Sequence, residues 1–177
     1  IREAGGMPDD RTMGDVQSAI NYLHTLPYTN GKVGLIGFCS GGRQTYLGAC
    51  TLEGVDAAVD CWGGGVTKGN DELTPAQPRW PIEFTEGLNC PLLGLFGEED
   101  TRPSPADVAE TEAELKRLGK DYEFHMYPNA GHGFFAVDRP SYRQEAATDG
   151  WQKVIAFYNQ HLSSGVGAGR EAVTAGD

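Results

Sequence analysis

The fold turns on KVGLIGFCSGGRQTYL, Lys32 to Leu47. A continuous apolar run reaches a lone cysteine, Cys39, glycines follow at 41 and 42, and a segment compatible with a helix takes over. A short apolar run bounded by turn residues reads as a buried strand. The turn then leaves Cys39 in one of two roles, a small buried residue or a nucleophile displayed where strand becomes helix.

The same alternation extends in both directions. Upstream, VQSAINYLHTL carries Val16, Ile20, Leu23 and Leu26 at helical spacing, with Asp15 as the expected N-cap and Pro27 as the stop. The Asn-Gly of PYTNG makes a turn into the strand. Downstream, GGRQTYLGACTL continues as a helix. A second strand, DAAVDCW, runs from Asp56 to Trp62 and stops in GGG, and a third, PLLGLFG, runs from Pro91 to Gly97 and stops in EEDTRPSP. PADVAETEAELKRLG is the next helix, with acids early, bases late and Gly119 as its stop, an order that suits the macrodipole. YEFHMYP is a fourth strand leading to NAGHGFF, and Gln144–Leu162 is the final helix. Residues 163–177, rich in Gly, Ala and Ser, read as a flexible tail. Residues 1–162 are thus expected to form a single domain.

Apolar strands alternating with helices imply an α/β fold, a mostly parallel sheet covered on both faces. Ligands gather at the carboxyl ends of the strands in such sheets. The residues there are Cys39, the glycine run after Trp62, the acids Glu98 to Asp100, and His132. A nucleophile, an acid and an imidazole therefore share one rim.

Composition removes other classes. The 177 residues suffice for one domain with a core, and 14 Lys plus Arg against 25 Asp plus Glu give a net charge of -11. Nucleic acid and anionic membrane are poor partners for such a surface. No apolar run approaches the length of a membrane span, and the start IREAGGMPDD lacks the basic and hydrophobic regions of a signal peptide. A soluble, cytoplasmic protein is expected. Cys39, Cys50, Cys61 and Cys90 show neither a CxxC pair nor zinc spacing, so free thiols in a reducing compartment are expected. No GxxxxGK[ST] or GxGxxG is present. A cysteine phosphatase needs an arginine where Thr45 stands, and a redox thiol needs a nearer partner than Cys50.

Gly37-Phe38-Cys39-Ser40-Gly41 matches the G-x-S/C-x-G nucleophile elbow in its strand-turn-helix setting. The turn is strained, and small residues two positions either side let strand and helix approach. The helix N-terminus turns unpaired N–H groups towards the thiol, which favours thiolate and holds an oxyanion; Ser40 supplies one such N–H from its backbone. Nucleophile, acid, histidine is the chain order of the α/β-hydrolases, and Cys39, Asp100, His132 follow it. His132 then serves as the base and Asp100 as its orienter, preferred over Glu98, Glu99 and Asp107 because it ends the GEED loop without entering the next helix. His24, His125 and His161 lie on helix or strand faces and read as structural, as do Cys50 and Cys61.

LPYTNGKVGLIGFCSGG, GEEDTRPSP and AGHGFF followed by DRPSYRQEAA resemble the dienelactone hydrolase (carboxymethylenebutenolidase) family, from Gly14 to Leu162. The resemblance implies an α/β-hydrolase fold, a Cys-His-Asp triad on Cys39, His132 and Asp100, no metal or other cofactor, and opening of an unsaturated lactone. It also implies a substrate-facing aromatic at Trp62, with Phe38 beside it, and a carboxylate-binding arginine at Arg139, where the spacing is longer than the family's. The ligand expected is a small lactone or ester bearing a carboxylate.

This chain starts at the helix before the nucleophile strand, whereas the family has earlier strands carrying a second oxyanion N–H, an activating glutamate and another arginine. Arg2 or Arg11 are the substitutes for that arginine. The chain thus resembles the carboxyl-terminal two-thirds of such a hydrolase, and residues 33–38 become an apolar edge that predicts a complementing segment, a dimer or a longer parent polypeptide. A second reading, of a different class, is a truncated hydrolase-like module with impaired catalysis that serves in binding or assembly. A third keeps the triad and changes the substrate.

Overall fold

The computed structural model describes residues 5–69 and 71–163. The expected tail, apart from Ser163, lies outside them, as does Arg2.

Four parallel strands form one sheet in the order β1-β2-β3-β4: β1 Gly34–Phe38, β2 Ala57–Cys61, β3 Leu92–Gly97 and β4 Tyr122–Tyr127. The helices are α1 Asp9–Thr25, α2 Ser40–Thr51, α3 Pro105–Arg117 and α4 Gln144–Leu162. Period-two alternation divides the core. Val59, Cys61, Leu93 and Leu95 face Val154 and Phe157 of α4, while Ala58 and Leu92 face Tyr46 and Cys50 of α2 and Leu115 of α3. Every residue of β2 and β3 is buried, which explains why they are apolar throughout apart from Asp60 of β2. Among the described residues no helix is long and apolar enough to cross a membrane.

β1 is an outer strand, paired only with β2 among the described residues. Ile36 and Phe38 remain 37% and 39% exposed, and the Tyr158 hydroxyl of α4 donates to the Leu35 carbonyl at 2.6 Å.

α1 departs most from the sequence reading. It starts at Asp9 with Pro8 as N-cap, not at Val16 behind Asp15. MPDDRTMGD shows no apolar periodicity, so the extra turns come from tertiary contacts. The Arg43 Nη atoms donate to both Asp9 carboxylate oxygens at 2.6 and 3.0 Å, and the Asp9 N–H donates to the Ala76 carbonyl at 2.9 Å. α3 begins with a capping box instead: Ser104 accepts from the Asp107 N–H, and the Asp107 carboxylate accepts from the Ser104 N–H. Between β2 and β3, where no element is expected from sequence, Pro81–Gly87 forms a 3-10 helix.

Candidate active site

Cys39 sits between β1 and α2 at φ 58°, ψ -122°, a left-handed conformation costly for a residue with a side chain. The sheet holds it there, since its N–H donates to the Cys61 carbonyl at 3.0 Å. The turn requires glycine at 37, where an added Cβ lies 1.9 Å from the Gly41 carbonyl oxygen. The second glycine of the motif is different: a Cβ at Gly41 meets nothing within 4 Å, whereas one at Gly42 lies 2.2 Å from Asp60 Oδ1. Close packing of α2 on β2 thus depends on Gly42, and the expectation of a steric need at Gly41 is corrected.

His132 and Asp100 arrive on two loops bound to each other. Glu99 N–H donates to the Ala130 carbonyl at 2.9 Å, and Glu98 N–H to that of Tyr127 at 3.0 Å. This pairing turns Glu98 and Glu99 outward and Asp100 inward, where it is 5% exposed. Asp107 is occupied by the Ser104 capping box. Asp100 Oδ1 accepts from the Arg102 N–H at 2.9 Å, and its Oδ2 lies 2.8 Å from His132 Nδ1. His132 Nε2 lies 2.9 Å from Cys39 Sγ. One imidazole therefore bridges the thiol and the buried carboxylate.

The hydrogen bond to Asp100 raises the His132 pKa from 6.5 to about 9, aided by the bond to Cys39 and opposed by desolvation. At neutral pH the ring is an imidazolium, so both nitrogens donate, Nδ1 to the carboxylate and Nε2 to sulfur. Cys39 is exposed while the other three cysteines are buried. Burial pushes the Cys50 and Cys90 thiols up to about 12 and 11, and that of Cys61 further.

A cavity of about 690 Å³ opens beside the thiol, lined by Cys39, Ser40, Gln44, Trp80, Arg43 and Arg102 among others. Ser40 is the first residue of α2, so its N–H has no partner within the helix. The expected substrate-facing residues are placed elsewhere. Trp62 is 4% exposed, its ring tilted against those of Phe134 at 4.8 Å and Phe38 at 5.7 Å in an aromatic cluster outside the cavity lining. Phe38 extends that cluster to Trp151 at 6.1 Å. Arg139 is exposed and Arg11 pairs loosely with Asp15 at 3.8 Å; neither lines the cavity. The arginine that does reach it from the acid's loop, Arg102, was not singled out in the sequence, although its place two residues after Asp100 ties it to the site. Among the described residues no His, Cys, Asp and Glu group of three or more is placed to hold a metal.

The chain is 37% identical over 166 residues to a Synechocystis protein named "Putative carboxymethylenebutenolidase", covering 90% of this chain and 65% of that one. A Methylorubrum extorquens protein of the same name is 34% identical over 88% of this chain and 52% of its own. The chain thus spans between about half and two-thirds of these relatives' lengths. The crystal structure titled "Putative Dienelactone Hydrolase" from Klebsiella pneumoniae superposes with a TM-score of 0.78 at 33% identity, covering 87% of this chain and 62% of that one. The sequence model of the dienelactone hydrolase family matches residues 3–162, and with the α/β-hydrolase sheet and the Cys39 elbow in place, this chain belongs to that family.

Proposed function

We propose that the chain hydrolyses an activated ester or lactone through a cysteine acyl-enzyme. The observation that carries this is His132, within hydrogen-bond reach of both Cys39 and the buried Asp100. The thiol proton goes to His132 Nε2, leaving an imidazolium beside the sulfur. The thiolate attacks the carbonyl carbon, forming a C–S bond and an oxyanion for which the Ser40 N–H is the donor at the start of α2. Collapse breaks the C–O bond, and His132 Nε2 gives its proton to the departing enolate or alkoxide. Neutral His132 then takes a proton from water, whose oxygen attacks the thioester and releases the acid and the thiolate. Asp100 holds the ring in the orientation that serves both transfers. A thiolate leaves more readily than an amide nitrogen, so esters and lactones are the substrates rather than amides. The names of the relatives support a lactone. Pairing of a further strand or a second copy along residues 33–38 remains part of the same proposal, supported by the half-exposed Ile36 and Phe38.

The test is hydrolysis of p-nitrophenyl acetate by wild type and Cys39→Ala, with iodoacetamide labelling mapped by mass spectrometry. Turnover lost in the variant, and labelling of Cys39 far ahead of the other three thiols, is the expected result. Turnover that survives Cys39→Ala, or equal labelling of all four cysteines, overturns the reading and favours a binding module.

A further inference from the structure

We propose that Gln44 Oε1 accepts a hydrogen bond from a hydroxyl carried by the substrate, so that the cavity selects hydroxylated lactones and esters; this rests on Cys39 being the acylating group of that cavity.

One side-chain atom lacks its partner. Among the described residues Gln44 Oε1 is the single buried side-chain nitrogen or oxygen without a hydrogen bond. Native folds leave few such groups, because an acceptor taken from water and given no donor costs free energy. This one belongs to a residue that lines the cavity beside Cys39. Gln44 follows Ser40 by four positions on α2, so the two share a face of the helix one turn apart. The orphan acceptor and the backbone donor for the oxyanion thus front the same cavity.

The amide cannot exchange its ends to repair this. Gln44 Nε2 donates to Asp9 Oδ1 at 3.0 Å, and the Asp9 carboxylate is itself held by the Arg43 Nη atoms at 2.6 and 3.0 Å. Turning the amide over would set Oε1 against a carboxylate oxygen, acceptor against acceptor. Asp9 therefore dictates the polarity of the amide, with the nitrogen towards the carboxylate and the oxygen left for a donor from elsewhere. A ligand hydroxyl that meets this fixed oxygen is oriented relative to the reacting sulfur, not merely retained.

What the oxygen lacks is a neutral donor. Arg43 spends both Nη atoms on Asp9 and its Nε on the Gly65 carbonyl at 3.1 Å, so it cannot serve. Of the carboxylates in the lining, Asp71 is paired with Arg102 at 2.9 Å and Glu72 is exposed, so neither offers a desolvated anion to hold an ammonium. The cavity, about 690 Å³, has room for substituents beyond the reacting ester. A hydroxyl there satisfies the amide oxygen, whereas an alkyl group in the same place leaves it unpaired. That difference lets one buried acceptor discriminate between substrates.

The experiment compares kcat/KM for γ-butyrolactone and for its α-hydroxy and β-hydroxy derivatives, in wild type and in Gln44→Met, which keeps the length of the side chain and removes the acceptor. A neutral hydrogen bond predicts that the ratio of the better hydroxylated lactone to the parent falls about five-fold or more in the variant. A purely structural role lowers all three lactones together, and a resident water on Oε1 also leaves the ratio unmoved; either result overturns the proposal. A second measurement needs no turnover. Hydroxylated tetrahydrofuran (3-hydroxytetrahydrofuran) should slow iodoacetamide labelling of Cys39 at lower concentration than tetrahydrofuran in wild type, and Gln44→Met should abolish the difference. Equal protection by both ethers in wild type, protection by neither, or a hydroxyl advantage that survives in the variant overturns the proposal. A hydroxyl advantage lost in the variant, with none of the lactones hydrolysed, sinks the hydrolase reading and leaves the acceptor site standing. Hydrolysis with an unmoved ratio does the reverse.

Discussion

Asp100→Asn separates the charge of the orienting residue from its shape. Asp100 is 5% exposed, accepting the Arg102 N–H on one oxygen and facing His132 Nδ1 at 2.8 Å with the other. Asparagine retains the first bond and turns an NH2 towards the ring, which can no longer keep its proton on Nδ1. The leading cause of the raised His132 pKa is removed while the opposing desolvation stays, so the pKa falls from about 9 towards 6.5, held up only by the neighbouring Cys39. At about pH 7.5 the imidazolium, nearly complete in the wild type, becomes a minority form as the pKa approaches 6.5. With the wrong tautomer added, the rate on an aryl ester should fall by about 10³ to 10⁴. NMR of the His132 ring protons reads the titration directly, and stopped turnover reads the rate. A wild-type midpoint near 6.5, or a midpoint unmoved by the substitution, refutes the reasoning. The sign carries over to stability. A histidine pKa raised on folding contributes in full below pH 6.5, and that contribution is lost as pH rises through about 9. Asp100→Asn should therefore flatten the fall in stability across that window.

Two further outcomes follow from packing and burial. Gly37→Ala, whose Cβ would lie 1.9 Å from the Gly41 carbonyl, should cost about 2 kcal/mol or more by urea unfolding, whereas Gly41→Ala, with open space around its Cβ, should be neutral or slightly stabilising; equal costs would contradict the steric account of the elbow. Asp60 is buried beneath that turn with one backbone donor, Gly63 at 2.8 Å, and burial raises its carboxyl from 3.8 to about 7. A raised carboxylate pKa destabilises the fold as pH rises from about 4 through 7, so Asp60→Asn should remove up to one proton's worth of slope from the stability profile there; an unchanged slope would show the carboxyl to be ionised throughout.

Local signals decided much of this molecule. The strand-like runs and the turn residues that follow them place all four strands within two residues of their observed bounds, most plainly for β2 and β3, whose burial along their whole length favours small and apolar residues. α4 matches its expected span, Gln144–Leu162. Cys39, Asp100 and His132 were also legible, since each follows a strand and the chain order is that of one catalytic arrangement. α1 was only half visible: its first turns are polar, and the contacts that form them, Arg43 to Asp9 and the Ala76 carbonyl to the Asp9 N–H, bridge distant segments.

The sequence by itself determined the sheet, the elbow and the three residues that meet at it, because local periodicity and turn chemistry write those into neighbouring positions. Only the tertiary structure decided what surrounds them. Trp62 and Phe38 pack into an aromatic cluster rather than the cavity, Arg139 stays on the surface, and Arg102 takes the place beside the thiol. Which side chain reaches a cavity depends on how loops from separate strands close over one another. Here the close approach of Gly64 to Arg102 sets that closure across a gap of some forty residues that no local pattern records.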